Sequence, residues 1–205
     1  MADPRTVDGQ TSEGMHFRGD DWYAEELGAA RFTDCTFTDV DFSEASTAGA
    51  TFQDCTFHGG RFNASTHTAT AFVACDFRRT TFFDATLDGC KLVGTVFSEC
   101  VLRPLTVVGG QWQGVTIRGT NLSALHLSGV DLREADLSLS NLTGCDLSHA
   151  RLDSAVVRET DLSKADLRSA SLTGVDLTAA TLRGTRLDLN GAVHLAQLHG
   201  VTVEP

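Results

Sequence analysis

Several features of common protein classes are scarce or missing in this sequence. Its 205 residues include only two lysines against fourteen arginines, and 27 acidic against 16 basic residues give a formal net charge of −11. Nucleic-acid binding requires a basic surface, so this charge argues against it. No apolar run approaches the ~20 residues that span a bilayer, and the N-terminus lacks the basic-then-apolar pattern of a signal peptide. We therefore expect a cytoplasmic protein that binds neither nucleic acid nor membranes directly.

Sequence signatures of catalysis are missing as well. The chain has no GxSxG elbow, P-loop, HExxH motif or dinucleotide-binding fingerprint. Its seven histidines are scattered, and its six cysteines form no CxxC pair. We expect no enzymatic activity, no catalytic residues, no cofactor and no metal site.

A five-residue repeat dominates the sequence. From Phe17 to Leu187 an apolar residue occupies every fifth position, with only Thr47 and His67 polar, and no insertion or deletion interrupts the series. We call these residues the centres. The position two residues before a centre almost always holds a small residue, which we also expect to face inward. Successive inward-facing residues are therefore separated alternately by two and by three positions. A step of two is extended chain, whose alternate side chains share a face, and a step of three adds a residue to turn a corner.

Residues spaced by twenty set the number of sides in one coil. One twenty-residue column begins with Phe17 and continues with phenylalanine to Phe97, whereas both polar centres fall in the column that contains Leu27 and Leu87. A coil of fifteen residues would distribute the members of each set over different sides. The sequence therefore predicts an all-β, quadrilateral parallel β-helix of about nine coils, a rod about 42 Å long at ~4.8 Å per coil.

Two sets of inward side chains leave alternatives open. All six cysteines occupy the small position, where disulfides, metal binding or packing are conceivable; thiols in a parallel ladder have poor disulfide geometry, so we favour buried filler. His67 lies above Thr47 as either a buried proton or metal site or a hydrogen-bonded polar pair, and we favour the pair.

Pro104 either presets a corner or marks a bend with a cis bond between the Phe-rich and Leu-rich halves.

The two ends depart from the repeat. We predict a disordered tail over residues 1–14, the β-helix over 15–189, and a cap and dimerisation module over 190–205. In that module a short helix begins with Asn190 as N-cap and ends before Gly200, and Val201 and Val203 form a short edge strand. Its apolar side chains either only cover the last coil or also bind a second copy of the chain, and we favour a dimer.

The C-terminal half carries a recognisable motif: NLSAL, DLREA, NLTGC, DLSKA and DLRSA resemble the A(D/N)LXX signature of the pentapeptide repeat family. The segments SECVLRPLT (98–106), LTGC (142–145) and AVHLAQLHG (192–200) resemble its fluoroquinolone-resistance members. This resemblance implies a right-handed quadrilateral β-helix and a homodimer joined through C-terminal helices. Such a dimer mimics B-form DNA, binds DNA gyrase and protects it from quinolone-type poisons. The resemblance places the dimer contacts on Val193, Leu195, Ala196 and Leu198, to which the apolar tail adds Val201 and Val203.

The negative charge is unevenly distributed. Residues 1–100 carry a net charge of −9 and residues 101–205 carry −2. The most acidic side is the one centred on Leu27, Thr47 and His67. We predict that a partner contacts its acidic residues, which are Glu25, Glu26, Asp88, Asp146, Asp166 and Asp188.

Two functions fit an acidic rod. A dimer would carry about one net negative charge per ~4 Å of length, against one per ~1.7 Å in duplex DNA, so the first hypothesis is a DNA mimic that binds gyrase. The alternative is a non-catalytic scaffold for another protein partner, with the acidity serving solubility only.

Overall fold

Short strands separated by tight corners make up the first part of the chain, and one helix lies near its end. The computed structural model describes residues 9–204. The strands and helix of that range are β1 (Thr11–Glu13), β2 (His16–Arg18), β3 (Glu26–Gly28), β4 (Arg31–Thr33), β5 (Thr36–Thr38), β6 (Ser46–Ala48), β7 (Thr51–Gln53), β8 (Thr56–His58), β9 (Thr66–Thr68), β10 (Ala71–Val73), β11 (Asp76–Arg78), β12 (Ala85–Asp88), β13 (Val96–Ser98), β14 (Leu105–Val108), β15 (Thr116–Ile117) and α1 (Leu189–Leu198).

The strands form a four-sided solenoid, which confirms the predicted fold. Side 1 contains β1, β4, β7 and β10; side 2 contains β2, β5, β8, β11, β13 and β15; side 4 contains β3, β6, β9, β12 and β14. Side 3 is a series of isolated parallel bridges that begins at Asp21↔Asp41. Partners are twenty residues apart, as in Phe37↔Phe57, except at a register shift where Gly28 faces Thr47, and the pairings between strands are parallel. About five coils are built from strands, and bridges continue the same spacing to Asp166↔Arg186, so the register covers close to nine coils.

The residue before each centre decides between strand and turn. Threonine usually stands there in the strands, as in β5, β8 and β9, because its branched side chain favours extended backbone. Aspartate or asparagine stands there in most C-terminal repeats and accepts a hydrogen bond from the backbone N–H two residues later. Examples are Arg133 N to Asp131 Oδ1 and Ser148 N to Asp146 Oδ1, at 3.3 and 3.0 Å. This Asx geometry favours a turn, so the later coils are joined by single bridges.

Stacked aromatic rings fill the first coils. On side 2 the rings of Phe17, Phe37, Phe57, Phe77 and Phe97 stack with centroid separations of 4.4–5.0 Å. After Phe97 the centres are mostly leucine and remain buried. An interior void of only about 10 Å³, lined in part by Phe77, Phe82 and Leu102, lies at this transition. It is no larger than one water molecule requires, so side chains fill the interior there.

The cysteines do more than fill space. None of the six is in a disulfide, and each donates its Sγ–H to the carbonyl oxygen of a residue 23 positions earlier. Cys145, for example, donates to the Leu122 oxygen at 2.9 Å, and the hydroxyl of Thr95 donates to the Phe72 oxygen in the same way at 2.7 Å. Burial raises the pKa of Cys90 and Cys145 to about 11. The six thiols therefore link adjacent coils, and those of Cys90 and Cys145 stay protonated at neutral pH.

The solenoid begins earlier than the sequence pattern predicted. Strand β1 pairs with β4 and places Ser12 opposite Phe32, one repeat before Phe17. The buried Ser12 hydroxyl accepts a hydrogen bond from Gln10 Nε2 at 3.0 Å. The predicted boundary at residue 15 is thus corrected to residue 11, because a polar residue at the centre hid the first repeat. The rest of the predicted tail, residues 1–8, lies outside the described residues.

The C-terminal cap differs from the prediction at both of its ends. The N-cap of α1 is Asp188 and not Asn190: its Oδ1 accepts from Gly191 N at 2.9 Å, and its Oδ2 accepts from Ser169 N at 2.8 Å. Asp188 can therefore cap the helix and join it to the preceding coil. Gly200 follows the helix with a φ of +78° and, as predicted, ends it. Residues 201–204 form no strand, so the predicted edge strand through Val201 and Val203 is wrong.

The peptide bond between Arg103 and Pro104 is cis. Here the usual spacing between coils changes by one residue, since Asp84 N donates to the Pro104 oxygen rather than to that of Arg103. The next residue, Leu105, is buried at the small inward position and begins β14.

Candidate partner-binding surfaces

The six acidic residues predicted to contact a partner lie on side 4, in two groups near its ends with Asp88 alone between them. Glu25 and Glu26 precede the centre Leu27 at the N-terminal end, and Asp146, Asp166 and Asp188 lie at the C-terminal end. Six coils, or about 29 Å, separate Glu26 from Asp146. The outward positions between them on side 4 carry only one acidic residue, Asp88, among Ser46, Ala48, Thr66, Thr68, Thr86, Thr106, Val108, His126 and Ser128. The structure therefore does not bring the six together.

The C-terminal group is largely compensated. Asp166 contacts Arg168 at 2.6 Å and Arg186 at 3.3 Å, and the hydrogen bond from Arg168 lowers its pKa to about 2. Asp146 accepts hydrogen bonds from Ser148, which lower its pKa, and lies 3.9 Å from His126. The pKa of Asp188 is lowered by the backbone hydrogen bonds of the helix cap, first that from Gly191. These carboxylates are ionised, but arginines contact the oxygens of Asp166, Ser148 donates to Asp146, and the helix cap occupies Asp188.

A second set of acidic residues lies at the corners of the first coils. Corner positions, two residues after a centre, have left-handed backbone, with φ of +52° to +59° at Asp34, Asp39, Glu44 and Asp54. All four side chains are exposed, and none has a basic group within 4 Å in the described part of the chain. We call these four residues the corner acids. The prediction missed them because it counted charge along one side, although their position in the repeat is visible in the sequence.

Ion pairs are concentrated in the C-terminal half. Within residues 9–204, two ion pairs lie before residue 101, Asp41–Arg61 and Asp76–Arg78. Seven lie after it. The N-terminal coils therefore carry most of the net negative charge and also most of the carboxylates that are free to contact another molecule.

The buried polar pair belongs to a chain of hydrogen bonds. The Ser65 hydroxyl donates to the Phe62 oxygen at 2.7 Å, so its oxygen accepts from His67 Nε2–H at 3.0 Å. His67 Nδ1 then accepts from the Thr47 hydroxyl at 2.7 Å, and Thr47 accepts from Thr70 at 2.6 Å.

Every member of this chain is satisfied with a neutral imidazole, and burial lowers the pKa of His67 to about 4. No group of three or more His, Cys, Asp or Glu side chains in residues 9–204 is placed to hold a metal ion. The geometry favours the hydrogen-bonded alternative for Thr47 and His67.

The predicted dimer contacts divide between two surfaces of the cap. Leu195 and Leu198 pack against the last coil of the core, and His194 Nε2–H donates to the Val175 oxygen at 2.7 Å. Val193 and Ala196 are partly exposed. Val201 and Val203 are exposed, and Leu189, which the prediction omitted, is 80% exposed. The cap thus covers the rod with one face and leaves apolar side chains uncovered on another.

No helix within residues 9–204 is long and apolar enough to cross a membrane.

Comparisons with solved structures agree with the fold. The plasmid-mediated fluoroquinolone resistance protein QnrB1 superposes with a TM-score of 0.84 over 96% of this chain and 98% of its own, at 19% sequence identity. HetL, a pentapeptide repeat protein involved in heterocyst differentiation regulation in the cyanobacterium Nostoc, gives a TM-score of 0.51 at 18% identity and covers 91% of this chain and 90% of its own. At these identities the likeness concerns the fold alone.

Sequence comparison identifies the family. The pentapeptide repeat protein MfpA of Mycobacterium tuberculosis is 37% identical over 93 residues, which are 45% of this chain and 40% of that protein. The chain thus matches less than half the length of this relative. The family model for pentapeptide repeats matches residues 27–66, 68–103, 120–158 and 150–188 in eight copies. Since these matches cover more than half of the residues, the chain belongs to the pentapeptide repeat family.

Proposed function

We propose that this protein binds DNA gyrase in place of duplex DNA, modulates the enzyme and protects it from quinolone-type or other topoisomerase poisons, and thereby confers drug resistance or self-resistance. The observation that carries the proposal is the exposed, unpaired negative charge of the N-terminal coils on an unbranched rod. A gyrase surface that binds DNA is basic, and a rigid array of carboxylates complements it. The relationship to MfpA supports the same function, and the likeness to QnrB1 supports the rod-shaped fold on which it depends. Because gyrase acts on the chromosome, this function places the protein in the cytoplasm.

Within this function we assign the gyrase contacts mainly to the corner acids, together with Glu25, Glu26 and Asp88. Asp166 already pairs with arginines, Asp146 accepts hydrogen bonds from Ser148, and Asp188 caps the helix, so a partner gains less by contacting them. Fixed, unpaired carboxylates attract a basic surface over a distance of about 8–10 Å at physiological salt, which speeds association.

The test of this function is a gyrase assay with matched charge variants. Purified protein at micromolar concentration or below is expected to inhibit supercoiling or to reduce fluoroquinolone-stabilised DNA cleavage. The variant Asp34→Asn/Asp39→Asn/Glu44→Gln/Asp54→Asn is expected to need at least about 10-fold more protein for the same effect.

The control is Asp131→Asn/Asp136→Asn/Asp146→Asn/Asp166→Asn, which changes the net charge equally but removes paired carboxylates, and it is expected to shift potency less than about threefold. If the wild-type protein leaves gyrase unchanged in both assays, the proposal is wrong and the scaffold alternative takes its place. Equal loss in both variants would show that net charge, and not its position, matters.

We also propose that two copies join through their C-terminal caps, with Leu189, Val193, Ala196, Val201 and Val203 in the contact and Leu195 and Leu198 supporting the helix from below. The support is the exposure of these apolar side chains beside a helix that is already anchored to its own rod. Joining two rods end to end would double the charged length, which suits a DNA mimic.

The double variant Leu189→Asp/Val201→Asp is expected to halve the mass measured by sedimentation equilibrium. The control Val108→Asp changes a similarly exposed side chain on side 4 and is expected to leave the mass unchanged. Even a weak dimer, with a dissociation constant on the order of 100 µM, would be partly formed at that concentration. A monomeric mass for the wild-type protein at about 100 µM would therefore contradict the dimer.

A further inference from the structure

Two aromatic side chains lie on the outside of the rod, and both are on side 3. Tyr23 and Phe83 are 52% and 53% exposed, whereas the other eleven phenylalanines are all centres of the repeat. Both follow a centre directly and are sixty residues apart, so they lie in one column, three coils or about 14 Å from each other. Val101, 51% exposed, lies in the neighbouring column on the coil after Phe83.

Packing does not require an aromatic residue at these positions. Five of the other seven places in the same column hold small polar residues, Ser43, Asn63, Ser123, Thr143 and Ser163, and the remaining two hold Arg103 and Arg183; the coil closes around all of them. Phe83 itself contributes only backbone bonds and one weak polar contact, its N–H to Thr81 Oγ1 at 3.4 Å. A half-exposed phenylalanine at a position that tolerates serine gains little for the fold, but its exposed half is apolar surface that a partner can bury.

Unpaired carboxylates lie around this column, together with the ion pair between Asp41 and Arg61. Asp21 precedes Trp22 on the same coil as Tyr23, Glu44 accepts a hydrogen bond from the Tyr23 hydroxyl, and Asp84 follows Phe83 at the corner. None of the three is ion-paired in the described part of the chain. Arg103 lies beside Phe83 and donates to the Ser123 hydroxyl at 2.6 Å. An apolar anchor inside a charged rim is the usual arrangement of a binding hot spot.

We propose that side 3 of the N-terminal coils is a binding face of the rod, with Phe83 as its anchor and Tyr23 and Val101 as secondary contacts. Of the corner acids, Asp39 and Glu44 border this side. The complementary partner is a protein surface with an apolar recess and a basic rim. A second copy of this chain does not fit, because its own acidic rim would repel the first. The inference rests on the proposed function, since it identifies the recess with one on gyrase.

Anchor and charge act on different rate constants. Exposed carboxylates attract the partner before contact, so their removal lowers the association rate and its dependence on salt. A buried aromatic anchor acts after contact, so its removal raises the dissociation rate. The two contributions can therefore be separated in one kinetic experiment.

The experiment measures binding of purified gyrase holoenzyme to the immobilised protein by surface plasmon resonance. Phe83→Ser is expected to raise the dissociation rate at least 10-fold and to change the association rate less than twofold. Phe83→Tyr retains the ring and is expected to stay within about threefold of wild type. Val156→Ser, at a 47% exposed position on side 2, is the control and is expected to bind as the wild type does.

The outcomes separate this inference from the proposed function. If wild type and Phe83→Ser dissociate equally slowly, the anchor is wrong while gyrase binding stands. If the wild-type protein does not bind gyrase, both are wrong. Thermal melting of each variant checks the fold; because Phe83 is half exposed, a loss of binding with an unchanged melting temperature supports the anchor, and a loss that follows a lower melting temperature contradicts it.

Discussion

The N-terminal and C-terminal halves of this rod share one backbone register but differ inside and outside. Up to residue 100 stacked phenylalanines fill the interior, strands form three of the sides, and most carboxylates are unpaired. Beyond it leucines fill the interior, single bridges join the coils, and arginines one coil or two residues away pair with the aspartates. The comparison shows that the five-residue register leaves core chemistry and surface charge free to vary separately. The half with the ring-filled core is also the half that presents free charge.

The largest expected effect concerns the two cores. Phe57 lies between Phe37 and Phe77 at ring separations of 4.7 and 4.4 Å, and rigid rings cannot collapse into the space that it leaves. Phe57→Ala is expected to lower the free energy of unfolding by about 4 kcal/mol, and Leu137→Ala in the same column by about 3 kcal/mol, as measured by urea denaturation. An equal or larger cost at Leu137 would remove the distinction between the halves.

The next effect is a pH dependence that arises from the N-terminal half. The pKa of His67 is about 4 in the folded chain against 6.5 for a free histidine, so the unfolded state binds the proton more tightly. Stability is therefore full above pH 6.5 and falls as the pH drops through 6.5 toward 4, by about 3 kcal/mol in total.

The matched variant is Thr47→Val/His67→Leu, which removes the titrating group. Ser65 still donates to the Phe62 oxygen, and the Thr70 hydroxyl, released from Thr47, can donate to the Thr68 oxygen at 3.2 Å. Urea denaturation at pH 7 and pH 4.5 is expected to show a smaller loss of stability in this variant than in wild type. Equal losses would mean that other groups cause the acid sensitivity.

A smaller effect is expected to be alike in both halves. The thiols of Cys75 and Cys145 donate to the Phe52 and Leu122 oxygens. Replacement of either by alanine is expected to cost about 1 kcal/mol or slightly more, and replacement by serine less, because the hydroxyl can donate as that of Thr95 does. If serine and alanine cost the same, the thiols act only as filler; the measurement is the melting temperature.

The smallest effects compare charges. Asp166→Asn removes a carboxylate that contacts two arginines and is expected to destabilise the protein by less than about 1 kcal/mol, since the pair is near the surface. Asp54→Asn removes an unpaired corner carboxylate and is expected to leave stability unchanged or slightly higher at low salt. Melting temperatures at 20 mM and 500 mM NaCl test this, and a loss at Asp54 as large as that at Asp166 would contradict the difference in pairing.

The sequence was sufficient for the interior, because every inward position follows from the five-residue period. The column of Leu27, Thr47, His67 and Leu87, the inward cysteines and the helix end at Gly200 lie where the pattern predicted. The five-residue period cannot show which of two nearby side chains caps a helix, so the sequence predicted Asn190 as the N-cap instead of Asp188. The hydrophobic pattern also did not identify Ser12 as a buried centre, because its burial depends on a polar partner and not on its own hydrophobicity.

The outer surface was less predictable, since its chemistry depends on contacts across coils. Asp166 looks like any other acidic residue in the sequence, and only the twenty-residue stacking places Arg186 beside it. The corner acids and Phe83 could have been found by reading the positions after each centre in columns, as was done for the centres themselves.

The absence of any insertion between Phe17 and Leu187 has a consequence for how such a protein changes length. Each coil meets only its neighbours, so duplication or deletion of twenty residues would lengthen or shorten the rod by about 4.8 Å and leave both ends intact. Length is then a quantity that varies in discrete steps, independently of the cap and of the binding face. The distance between Phe83 and the C-terminal cap can therefore be matched to a partner by adding or removing whole coils.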